Sequence, residues 1–130
     1  MKTCRRYIVL AAAILATAAS PPQSRQLNQL MRQKLYRSEK VLEALVTSDW
    51  VALDTNGREL EALTKDPRWN VLQYPEYVQY SLAFVRSVDA IRAAASARDL
   101  ERVTASYNDM TRACVDCHRY VARMRLTGGR

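Results

Sequence analysis

The only histidine of this 130-residue chain, His118, closes the pentapeptide Cys114-Val115-Asp116-Cys117-His118. On a helix, residues three and four apart share a face, so both thiols and the imidazole project to one side. Two thiols so spaced can add to the two vinyl groups on one edge of a haem, while the imidazole comes under the ring to ligate iron. This is the spacing of c-type haem attachment. A covalent tether also explains how a small core could keep its cofactor, because the haem is then not lost by simple dissociation.

Three other chemistries use similar residues. A thioredoxin-like CxxC should open a helix after a strand in a βαβ setting, and here the pair lies inside the last of several helical segments. A disulfide between Cys114 and Cys117 would close almost no loop and restrict the unfolded chain little. A structural zinc needs four ligands, and there is no second cysteine or histidine pair to complete the set. Covalent haem fits the residues best.

The remaining cysteine, Cys4, lies in the opening stretch MKTCRRYIVLAAAILATAAS. That stretch has a basic start (Lys2, Arg5, Arg6), an apolar run of about thirteen residues, and small residues at Ala16 and Ala18. It has the form of a signal peptide over residues 1–18, cleaved near Ala18 or Ala19. The run is too short to span a bilayer, which takes roughly 20 residues. Cys4 precedes the apolar run, so it is not placed as a lipid-attachment residue. Residues 19–130 then form one domain, exported to the periplasm, with no membrane span after processing. Export agrees with the pentapeptide, since haem is attached to CxxCH outside the bacterial inner membrane.

Loss of residues 1–18 removes three basic and no acidic groups, and the formal charge falls from +7 to +4. A mildly basic surface suits docking on an acidic redox partner as well as plain solvation. Nucleic-acid binding has no motif here, and the basic residues are dispersed.

The elements that must position the pentapeptide are helices. From Ser24 onward apolar residues recur at three- and four-residue steps. The first helix should be capped by Ser24 and bury Leu27, Leu30, Met31, Leu35, Ser38, Leu42 and Leu45. A second, capped by Ser48 or Asp49, turns Trp50, Leu53, Leu60 and Leu63 inward, with Asn56-Gly57 its weak point. Pro67 and Pro75 mark a loop, and Pro75 suits the first turn of a third helix burying Val78, Leu82, Val85, Val88 and Ile91. Asp99 caps a fourth, with Leu100, Val103, Tyr107, Met110, Cys114, Cys117 and Val121 on one side. Two of the three connections are very short, so consecutive helices should run antiparallel. The expected fold is all-α, an up-down-up-down four-helix bundle.

An exported chain with four helices and one CxxCH in the last of them resembles the cytochrome c′ group, the class II c-type cytochromes. The resemblance spans roughly Gln23 to Leu126. It implies one haem c bonded to Cys114 and Cys117, His118 as the proximal iron ligand, and a first helix covering the distal face. It also implies pairing into homodimers through the first two helices.

Within that resemblance the residue opposite His118 separates two functions. Met31 stands where the family has its distal residue, and a thioether there raises the potential relative to a harder donor. Ligation by Met31 would make an electron carrier working with redox partner proteins. The alternative is that Met31 only fills core space, which would leave five-coordinate iron able to bind NO or CO. Met110 and Met124 share a helix with His118 and would reach the opposite face with difficulty. Arg32 and Lys34 could pair with haem propionates or simply be solvated, and Trp69, Tyr74, Tyr77 and Tyr80 could pack on the ring or serve as ordinary core. A third class is a haem-free secreted bundle acting by protein contact. An enzyme is not expected, because the only histidine is committed to iron and none is left for acid/base work over the distal face.

Overall fold

The computed structural model describes residues 22–69, 72 and 74–127. The signal peptide and Cys4 lie outside the described residues. Four helices follow in order: α1 (Pro22–Val46), α2 (Trp50–Thr64), α3 (Pro75–Ser96) and α4 (Leu100–Thr127), with a short 3-10 turn at Pro67–Trp69 between α2 and α3. They form the expected antiparallel four-helix bundle.

The two short links are built alike. Ser48 and Arg98 adopt left-handed backbone, with φ of 54° and 53°. At the first link the amide of Asp49 donates to Ala44 O at 2.8 Å and that of Ser48 to Leu45 O at 3.1 Å. At the second, Asp99 donates to Ala94 O and Arg98 to Ala95 O, both at 3.0 Å. This doubled pattern satisfies the last carbonyls of α1 and α3. The same aspartates start the next helix: a carboxylate oxygen of Asp49 accepts from Ala52 N at 2.9 Å, and one of Asp99 from Arg102 N at 3.0 Å. One helix is closed and the next opened within three residues, which forces the chain to reverse.

The core comprises Leu30, Val41, Leu53, Leu60, Phe84, Val88, Ile91, Val103 and Met110, all nearly or fully enclosed. Two stripes differ from expectation. Along α1 the buried residues are Leu30, Lys34, Ser38, Val41, Ala44 and Leu45, while Leu35 and Leu42 are exposed. Along α3 they are Tyr77, Phe84, Ser87, Val88, Ile91, Ala94 and Ala95, and Val78 and Leu82 are exposed. Hydrophobic type misled here, because exposed leucines and valines are normal on a small bundle and the interior takes whatever side chain the register brings round. Ser24 lies inside α1, which starts at Pro22. Leu100, expected on the inner side of α4, is also exposed.

Asn56-Gly57 does not break α2. Both are buried, and a Cβ at Gly57 would lie 2.5 Å from Cγ of Arg92, so the missing side chain lets α3 approach. Arg92 then reaches Asp54 and Glu61 across the α2–α3 seam. The amide nitrogen of Asn56 donates to Ala52 O at 2.8 Å, and its oxygen accepts from Arg37 of α1 at 3.3 Å. In the longer connection Trp69 is buried on Phe84, centroids 5.3 Å apart, with its indole N–H donating to Ser81 and its carbonyl accepting from the Tyr77 hydroxyl.

Candidate haem site

Adjacent helices pack closely around the bundle except on one side. Between α1 and α4 contact is sparse, and an elongated cleft of about 520 Å³ opens there. That volume lies within the range of small-molecule sites, roughly 300–1,000 Å³. Met31, Lys34 and Leu35 form its α1 wall; Met110, Cys114 and His118 line it from α4.

The pentapeptide lies within α4, as its spacing predicts. Cys114 and Cys117 are free thiols, each half-buried. Cys114 faces the cleft. Cys117 is turned toward the inner corner, close enough to Lys34 and Tyr77 to interact electrostatically with both. Burial pushes the Cys117 thiol up and Cys114 adds to this, against the opposing charge of Lys34. His118 is exposed at the cleft mouth. Desolvation, then the charges of Lys34 and Arg125, hold its imidazole below the usual range. The neutral ring this favours is the form that ligates a metal. Among the described residues no group of three or more His, Cys, Asp or Glu is arranged to hold a metal ion by itself.

Met31 is partly buried on the wall opposite His118. Met110 is enclosed in α4. Arg32 is exposed, whereas Lys34 is only 8% exposed. Its Nζ sits 3.7 Å from the Phe84 ring centroid and 4.6 Å from that of Trp69, close enough to Cys114 and Cys117 to interact electrostatically with both. A solvated Lys34 is therefore corrected to a buried one. Its side chain follows the α1 stripe at four-residue steps from Leu30 to Ser38, a pattern visible only when charged residues are kept in the register count. Of the aromatic residues, Trp69 and Tyr77 are core, Tyr80 packs on Tyr120 at 5.8 Å, and Tyr74 is exposed.

These residues suit a haem on three grounds: an apolar slot, two free thiols at a spacing of three, and a neutral imidazole beside them. No protein-family model matches the sequence, and no curated protein matches it. Among solved structures the fold is similar to a single-residue variant of cytochrome c prime from Alcaligenes xylosoxidans, determined as its nitric oxide complex. The TM-score is 0.59 at 18% identity, over 75% of this chain and 90% of that one. No described helix is long and apolar enough to cross a membrane. At that identity the likeness establishes a shared fold, the four-helix bundle of cytochrome c prime.

Proposed function

We propose that this chain is a periplasmic mono-haem c-type cytochrome that transfers electrons between partner proteins, with His118 and Met31 as axial ligands. The reading rests on one observation: Met31 of α1 and His118 of α4 line the same cleft from opposite walls, with Cys114 beside them. The likeness to a cytochrome c prime fold supports it. When bound, haem supplies a reversible one-electron couple, tuned by its axial donors.

The residues of the chain do the rest. Cys114 and Cys117 tether the ring edge through thioether bonds, and α4 fixes their separation. His118, held neutral, offers a ring nitrogen. Met31 offers a sulfur from the facing helix, where it is partly buried on the cleft wall. No enzymatic turnover is part of the proposal, since ligation uses the one histidine. The exposed apolar side chains of α1 and α2, among them Leu42, Val46 and Val51, are offered as the homodimer contact.

The nitric oxide complex of the structural neighbour favours a second reading, in which Met31 stands off the iron and the cleft admits a small gas. Optical spectra of the haem-loaded protein separate the two. Electron transfer through Met31 requires a low-spin ferric spectrum with the red charge-transfer band of thioether-ligated iron. A high-spin spectrum that shifts under carbon monoxide supports gas binding instead.

A further inference from the structure

Lys34 is the residue of the cleft that haem attachment alone leaves unexplained. A lysine at a protein surface normally runs its stem along apolar neighbours and keeps the ammonium in water. Lys34 does the opposite, lying 8% exposed against Trp69 and Phe84. None of the ion pairs among the described residues includes it, and the polar groups it interacts with are the Cys114 and Cys117 thiols. A buried ammonium with no carboxylate carries a large desolvation penalty. Burial accordingly lowers its basicity, against weaker opposing effects of the two cysteines. A buried lysine neutralises readily, and its amine then carries a free lone pair.

Two geometric facts give that lone pair a target. Lys34 follows Met31 by three residues, one helical turn, and both side chains enter the cleft from α1 opposite His118. Resting on the haem reading above, we propose that Lys34 is a second distal donor, whose amine nitrogen takes the iron position opposite His118 when the Met31 thioether is absent or displaced. The nitrogen binds as the neutral amine, and any proton it carries is released to solvent. No electron is gained or lost in the exchange.

The test uses the full chain with haem attached, as wild type, Met31→Ala, Met31→Ala/Lys34→Ala and Met31→Ala/Lys34→Arg, each checked for helical circular dichroism. Electron paramagnetic resonance and near-infrared spectra of the ferric proteins report the spin state and the thioether band. Met31→Ala is expected to lose that band completely and stay low-spin, while both double variants become high-spin. The arginine variant keeps the charge and the stem but cannot offer a neutral amine, so it separates ligation from charge and packing. A high-spin Met31→Ala protein overturns the proposal, as does a low-spin double variant, which would need a different donor. A wild type without covalent haem sinks the haem reading itself, a result distinct from either. If the wild type already lacks the thioether band, conversion of Lys34→Ala alone from low-spin to high-spin supports Lys34, and a spin state unchanged by it overturns the proposal.

Discussion

Cys114, Cys117 and His118 answer to local geometry, and single substitutions test each role. Either Cys114→Ala or Cys117→Ala should leave one thioether and a haem that still migrates with the chain on a denaturing gel stained for haem. The double variant should lose all of that signal, because no covalent link remains. His118→Ala should keep the stain yet lose the low-spin spectrum. This site was legible in the sequence because three and four residues are a fixed rotation on a helix, whatever the rest of the fold does. Lys34 was not legible. Residue type alone assigns lysine to solvent, and only the rotation of α1 against Phe84 and Trp69 turns it inward.

The helix links show which signals at the element scale are strong. Asp49, Asp99 and Pro75 were readable as helix starts because a side-chain acceptor or a fixed φ acts within one turn. The buried stripes were less so: α1 and α3 are long, their outward faces also carry leucine and valine, and a step of one residue moves the register to a neighbouring face. Asp49→Ala should lower stability by about 1 kcal/mol in chemical unfolding, through loss of the cap to Ala52. Ser48→Gly should raise it by about 0.5–1 kcal/mol, relieving the left-handed backbone at φ 54°. Gly57→Ala gains about 1 kcal/mol in helix propensity but drives a Cβ to 2.5 Å from Arg92 Cγ. Arg92 is held by Asp54 and Glu61 and yields little, so a net loss of about 1–2 kcal/mol is expected, as for overpacking. In the α2–α3 connection, the side-chain hydrogen bond from Arg68 lowers the Asp66 carboxyl from 3.8 to about 2. A depressed carboxyl stabilises the fold above its unfolded value, and that contribution disappears as pH falls through the folded one. Unfolding followed between pH 3.8 and about 2 should therefore show a shallower loss of stability in Asp66→Asn than in the parent chain.

Across the whole molecule the consequential feature is the opening between α1 and α4. The up-down-up-down order was legible from helix count and link length, since three-residue links leave consecutive helices no choice but to reverse. The cleft was not, because it arises from how far apart the first and last helices settle, a distance no local pattern encodes. If the homodimer proposed above forms through α1 and α2, sedimentation should give twice the chain mass; Val46→Glu, placing charge in the contact, should return it to the monomer. The account stands on haem being covalently held in that cleft. The direct measurement is the intact mass of the processed protein made in a host able to attach c-type haem, taken under denaturing conditions. One haem retained on the unfolded chain, and none on the Cys114→Ala/Cys117→Ala variant, is the predicted result. A wild-type chain that carries no haem after such expression would contradict it.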